Sequence, residues 1–127
     1  MTMEYIQTNN ALKPAGHYSQ AIKHQGLLYV SGQLPIDPDS GKKVTGTIQA
    51  QARRVFDNLK LILAEANTDL NQVIKLVVYI SSVELWDEVN QICGEYFVVH
   101  KPVRTIVPTR DLHFGVTIEI DCIAACD

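Results

Sequence analysis

The run His100-Lys-Pro-Val-Arg-Thr-Ile-Val-Pro-Thr-Arg-Asp-Leu-His-Phe-Gly-Val-Thr-Ile-Glu-Ile-Asp-Cys-Ile-Ala124 decides how this chain folds. Pro102 cannot continue a helix and forces extended backbone before it, so the segment that follows reads as a short strand opened by Arg104. A turn around His113-Phe114-Gly115 leads into Val116 to Ala125, which alternates with the period of a strand. Val116, Ile118, Ile120, Cys122 and Ala124 lie on one face, and Thr117, Glu119 and Asp121 on the other. Carboxylates two residues apart on a strand built for burial need solvent or a cation, because an unpaired buried charge is costly. Arg104 is the candidate partner. If the two strands are neighbours, a guanidinium and a carboxylate converge, one to hold an anion and the other a water, which outlines a small-molecule site.

Working outward from that run, the upstream chain supplies helices. Ile48, Ala52, Val55, Leu59, Ile62 and Ala66 recur at steps of four and three, the signature of an amphipathic helix. Thr47 can cap its start, and Asn67 can take the left-handed position past its end. Val73 to Ile80 is β-branched at most positions, with Leu76, Val78 and Ile80 facing one way and Val77 and Tyr79 the other, so both faces are expected to be buried. Ser81-x-x-Glu84 reads as a capping box for a second helix marked by Leu85, Val89, Ile92, Tyr96 and Val99. Nearer the start, Glu4 to Thr8, Ser19 to Lys23 and Leu27 to Ser31 read as strands, the last two a hairpin turning at His24-Gln25-Gly26. Gln33 to Gly46 carries too much turn chemistry for a long element and is expected to be a loop with at most a small hairpin.

The expected order is two or three strands, helix, strand, helix and two strands, an α+β fold in which each helix can cross between parallel strands. Two helices cover one face of such a sheet. Tyr29, Val77, Tyr79 and Ile123 leave apolar groups on the other, and the simplest cover is another copy of the chain.

Composition narrows the function. The 127 residues make one domain, residues 1–127, with an ordinary globular composition. Eleven basic against fourteen acidic side chains give a net charge of −3 with no basic run, which argues against nucleic acid. Cys93, Cys122 and Cys126 are odd in number and lack Cys-x-x-Cys spacing, so a disulfide framework and a zinc knuckle are not expected, and a reducing, cytoplasmic setting fits best. His17, His24, His100 and His113 are scattered without an i, i+4 pair, so no metal is expected. Gly41-Lys-Lys43 lacks the glycine spacing of a phosphate loop and reads as a turn. No run approaches the length of a membrane span, and no signal sequence or membrane association is expected.

Four stretches carry a resemblance: Gly16-His-Tyr-Ser-Gln-Ala21, Tyr29-Val-Ser-Gly-Gln-Leu-Pro35, His100-Lys-Pro-Val-Arg-Thr105 and Ile118-Glu-Ile-Asp-Cys-Ile-Ala124. In order and spacing they resemble the motifs of the reactive intermediate deaminase family, YjgF/YER057c/UK114. The resemblance implies a chorismate-mutase-like mixed β-sheet with two helices packed on one face, assembled as a homotrimer with ligand clefts between subunits. It implies hydrolysis of enamines and imines such as 2-aminoacrylate, 2-iminopropanoate and 2-iminobutanoate to keto acids and ammonia, without a cofactor. On that pattern Arg104 holds the substrate carboxylate and Glu119 positions the water, while Tyr18, Ser31, Gly32 and the backbone of Ile106 line the cleft. Two departures bear on substrate preference: His17 stands where the family usually has proline, and Leu112-His113-Phe114-Gly115 stands where many members have Leu-Pro. The alternatives are a 2-aminomuconate-type deaminase and a non-enzymatic role, either a regulatory protein that binds small carboxylates or a chaperone-like or RNA-directed one.

Overall fold

A computed structural model describes residues 2–127. The elements are β1 (Glu4–Ile6), β2 (Ala21–His24), β3 (Leu27–Gln33), α1 (Ile48–Glu65), β4 (Val73–Ile80), α2 (Trp86–Tyr96), β5 (Val103–Pro108) and β6 (Ile118–Ala125), with short 3-10 turns at Leu70–Gln72, Val83–Leu85 and His113–Gly115. The strands form one sheet in the order β1-β2-β3-β6-β4-β5, antiparallel throughout except for the parallel pair β4 and β5. Helix α2 therefore crosses between neighbouring parallel strands. Helix α1 joins β3 to β4, which run the same way with β6 inserted between them. The result is the expected chorismate-mutase-like mixed sheet with its two helices on one face.

The helical periodicity is realised closely. Ala52, Val55, Leu59 and Ile62 are fully buried against Leu76, Val78 and Ile80 of β4 and Ile118 and Ile120 of β6. At about 25 cal/mol per Å2 of apolar surface, each of the buried valine, leucine and isoleucine side chains contributes about 1.5–3 kcal/mol. Thr47 accepts a hydrogen bond from the N–H of Ala50 at 3.1 Å, a cap that stabilises α1 by about 1 kcal/mol. Asn67 takes the left-handed conformation with φ 57°. In the β2–β3 turn Gln25 and Gly26 both have positive φ, as a tight two-residue hairpin requires. The loop after β3 forms the small hairpin, closed by a bridge between Ile36 and Lys43.

Several expectations are corrected. The start of the second helical region is capped by Ser82, whose Oγ accepts from the N–H of Glu84, not by Ser81. Ser81 is still bound to the sheet, donating its N–H to the carbonyl of Thr117, so the chain leaves the sheet one residue later than the capping-box pattern suggests. Helix α2 stops at Tyr96, which stacks on Phe56 at 4.7 Å, and the chain then turns to bury Phe97 edge-on against the same ring at 5.8 Å. Val99 thus lies outside the helix and is exposed together with Val98. Strand β3 runs on past Ser31 and Gly32 to Gln33 through a bulge, and β6 begins at Ile118. The second face of β4 is not buried within one chain: Val77 and Tyr79 are half-exposed and Lys75 is exposed.

Candidate functional site

Strand register places the two charged candidates on opposite sides of the sheet. Arg104 pairs with Leu76, whose side chain points to the helices, so Arg104 emerges on the helix side at the edge strand β5. Glu119 pairs with Tyr79 on the open side. Strand β4 lies between β5 and β6, and the convergence of Arg104 with Glu119 or Asp121 inside one chain is therefore a failed expectation. Each residue instead centres its own half of the candidate residues.

The first half is built from α2 and β5. The Arg104 guanidinium donates to Asn90 Oδ1 at 2.9 Å and lies 5.6 Å from the centroid of the Trp86 ring. Trp86 and Asn90 are four apart on α2 and share a face, so one helix turn presents a cation–π surface and an acceptor to the same guanidinium. A cleft of about 470 Å3 opens beside them, lined by Cys93, Phe97, His100 and Lys101 among others. His100 is tied to the carbonyl of Val73 at 2.6 Å, which fixes the segment leading to Pro102. Burial pushes the Cys93 thiol up in pKa although Arg104 pulls it down, and burial carries Cys122 to about 12, so neither is a ready thiolate. Ile106 lies two residues beyond Arg104 on the same edge strand, whose outer backbone groups pair with no strand among the described residues.

The second half gathers Tyr18, Ser31, Gly32, His113 and Glu119 around a cavity of about 350 Å3 on the open side. The bulge in β3 sets Ser31 and Gly32 against β6, between the pairs Val30–Cys122 and Gln33–Ile120. A Cβ on Gly32 would overlap Oε2 of Glu119, so the missing side chain is what leaves room for that carboxylate. Ser31 donates its hydroxyl to the carbonyl of Ser19 at 2.6 Å, leaving its oxygen lone pairs to accept. Tyr18 is half-exposed, and its hydroxyl accepts from the N–H of Ala15 at 3.1 Å, which stiffens the loop around His17. The Glu119 carboxyl is raised above the 4.5 of an ordinary glutamate by burial, then by the charge of Asp121, while His113 pulls it back. Asp121 is raised by burial and lowered by its hydrogen bond from Tyr79 and by Lys75.

Buried amides hold the loops of this second half. Gln20 accepts from the N–H of Thr8 and donates to the carbonyls of Thr8 and Leu12, fixing the loop that leads to Tyr18. Asn58, fully buried in α1, donates to the carbonyls of Leu34 and Ile36 just past Gly32. Gln51 accepts from both the N–H and the hydroxyl of Thr117, anchoring the start of β6. An unpaired buried amide costs about 1–3 kcal/mol, so these contacts also specify the loop positions.

With this geometry in view, residues 8–126 match the family model described as Endoribonuclease L-PSP. The chain belongs to this YjgF/RutC/Rid family. A RutC family protein of Pyrococcus abyssi is 44% identical over 124 residues, covering 98% of each chain. The Rid protein YyfA of Yersinia pestis superposes with a TM-score of 0.95 at 37% identity, over 98% of this chain and 99% of that one. The structure of E. coli TdcF with bound serine superposes with a TM-score of 0.91 at 28% identity, over 98% and 99%.

Within this Rid-family chain the expected residues thus fall into two groups, Arg104 with Ile106 and Tyr18 with Ser31, Gly32 and Glu119. Sequence reasoning missed Trp86 and Asn90, for which the signal was an aromatic and an amide at i, i+4 on the less apolar side of α2. It tied His113 to substrate preference only as part of the Leu112–Gly115 stretch, because a turn residue in sequence gives no sign of sharing a cavity with Glu119. Among the described residues no cluster of three or more histidine, cysteine or acidic side chains could hold a metal ion. No helix of the described residues is long and apolar enough to cross a membrane.

Proposed function

We propose that the chain is a cofactor-independent deaminase that hydrolyses small 2-imino and enamine acids, of the 2-iminopropanoate and 2-iminobutanoate type, to 2-keto acids and ammonia. The observation that carries this reading is the division of the site: a prepared guanidinium on one side of the sheet, and on the other a raised carboxylate beside a gap left by Gly32. One chain cannot bring them to one ligand. A homotrimer whose subunits cover one another's open sheet faces would, with the Arg104 edge of one copy closing over the Glu119 cavity of the next. Tyr29, Val77, Tyr79 and Ile123, exposed or half-exposed on that face, supply the apolar surface such an assembly buries.

In this assembly Arg104 binds the substrate carboxylate with its planar fork of donors, pre-set by Asn90 and Trp86 so that little side-chain freedom is lost on binding. The imine is protonated at nitrogen, which makes its carbon electrophilic. Glu119 accepts a proton as water adds its oxygen to that carbon, giving a carbinolamine. Glu119 returns that proton to the nitrogen, and as the C–N bond breaks and ammonia leaves, the carbinolamine hydroxyl gives its own proton to the carboxylate or to water and becomes the keto group. Atoms and charge balance without a metal, a Schiff-base lysine or pyridoxal. On this reading the backbone groups of Ile106 and the Ser31 hydroxyl orient the substrate. The serine in TdcF, an amino acid with a carboxylate beside its nitrogen, fits the same class of ligand.

The name endoribonuclease attached to the family model points to RNA, but a chain of net charge −3 has little with which to hold a phosphate backbone. The free thiols Cys93, Cys122 and Cys126 suit the reducing cytoplasm. The test is ammonia release from freshly generated 2-iminopropanoate and 2-iminobutanoate. The reading expects acceleration well above the spontaneous rate; a folded protein that gives none, yet is stabilised against heat by 2-ketobutyrate, would be a carboxylate-binding protein instead.

A further inference from the structure

The turn that follows β5 carries a feature the reaction above does not use. His113 enters the cavity of Tyr18, Ser31, Gly32 and Glu119 from a different element than any of them. Its position is fixed by one backbone turn and two contacts. Phe114 takes a left-handed conformation with φ 61°, which turns the backbone sharply and is unusual for a bulky residue. The Phe114 ring meets the imidazole edge-on with centroids 4.0 Å apart. Lys43, from the small hairpin after β3, donates its ammonium to the carbonyl of Phe114 at 2.7 Å and latches the turn to the rest of the protein. A segment that could have been a free loop is thus held with its one ionisable ring toward the Glu119 cavity.

The other charged and titratable groups around this carboxylate do not supply a cation. Asp121, two residues along β6, is an acid of the same sign. Tyr79, on β4, gives its hydroxyl to Asp121. Tyr18 uses its hydroxyl oxygen to accept from Ala15. Lys43 spends its ammonium on the Phe114 carbonyl, and Arg110 and Asp111 precede the turn as exposed residues of opposite charge. Lys75 acts on Asp121.

We propose that His113 is a positioning residue for Glu119: from another wall of the shared cavity its cationic form keeps the carboxylate ionised and aimed at the water, which extends the working range of the site toward acid. The inference rests on the assignment of Glu119 as the proton acceptor. Its electrostatic basis is simple. Burial and Asp121 both favour the protonated, inactive form of Glu119, and a cation at position 113 opposes them. Both partners are partly solvated in a single chain, so water and salt screen the pair there. A second copy closing over the cavity would exclude that water and strengthen it.

The experiment compares pH profiles of kcat/KM for the wild type, His113→Gln and His113→Lys, each as the assembled full-length protein. Glutamine removes the charge and lysine makes it permanent. For His113→Gln the acid limb should move to higher pH, with activity at the foot of that limb down by about threefold or more and a much smaller loss above neutrality. His113→Lys should return the limb to or below its wild-type position. High salt should shift the wild-type limb toward that of His113→Gln. In parallel, the Glu119 side-chain carboxyl is titrated directly by NMR in the same proteins. If the limb and the NMR titration of Glu119 are both unmoved in His113→Gln, the pairing is wrong. If no protein in the set hydrolyses imines, the proposed function fails, and the NMR titration alone decides whether His113 acts on Glu119.

Discussion

The two faces of the sheet are made from the same strands and behave as different materials. On the helix side β6 presents Ile118, Ile120, Cys122 and Ala124, each at most 2% exposed, under α1 and α2. On the other side it presents Glu119, Asp121 and Ile123, all half-buried and left uncovered by both helices. The first face is finished within one chain, because every apolar group has a partner. The second holds aromatic, β-branched and acidic groups together, a mixture that neither water nor a dry core accommodates well. The contrast is one of completeness: the helix side holds the fold by itself, and the open side is the face that the proposed assembly would cover.

The largest expected effect breaks the first face and spares the second. Ile120→Ala empties space in a core closed on all sides and should cost about 2–5 kcal/mol, read by denaturant unfolding followed through the single tryptophan, Trp86, at fixed protein concentration. Val77→Asp, on the open face, should leave helical content intact while light scattering reports smaller species. If instead Val77→Asp unfolds the chain and Ile120→Ala only dissociates it, the two faces have been assigned the wrong way round.

Gly32→Ala sharpens the comparison within the open face. The added methyl group competes with the Glu119 carboxylate for one place, and displacing a proton acceptor by about 1 Å should lower kcat by about tenfold or more with little change in melting temperature. A wild-type kcat from the folded variant would mean that Glu119 is not held where the reaction needs it. Asn90→Ala is the smallest of the set. It removes one hydrogen bond to a charged group, worth about 1.5–3 kcal/mol when fully formed and less at this exposure, so KM should rise by about threefold to tenfold while kcat changes less. A selective fall in kcat would assign Asn90 to the chemical step.

Much of this organisation was legible in the sequence because it is local. The four-and-three spacing of α1, the alternation of β6, the Thr47 cap and the left-handed Asn67 each depend on a few neighbouring residues, and each is found as expected. The candidate site residues were named from the motifs that resemble the family, and the structure divides them between the two sides of the sheet. Strand order decides which of those residues meet, and no local pattern encodes it. Inserting β4 between β5 and β6 turns an expected Arg104–Glu119 pair into two half-sites on opposite sides of the sheet. The shift from Ser81 to Ser82 has a similar origin, since one long-range bond to Thr117 outweighs a short capping pattern. Gly32 was expected to line the cleft, but its closeness to Glu119 arises from a bulge that the Ser-Gly pair alone does not announce.

The central claim is that Arg104 and Glu119 act on one substrate from two different copies of the chain, and subunit mixing tests it most directly. Arg104→Ala and Glu119→Gln are each expected to lower kcat/KM by at least about tenfold. Unfolded together in equal amounts and refolded, they form hybrids in which some interfaces pair an intact Arg104 with an intact Glu119. In a cyclic assembly that is about one site in four, so activity should return to about a quarter of the wild-type value, and a refolded mixture of wild type with the double variant should serve as the reference for mixing. If the two variants demonstrably co-assemble and the mixture is no more active than its parts, both residues serve one site from the same copy, and the composite site is contradicted.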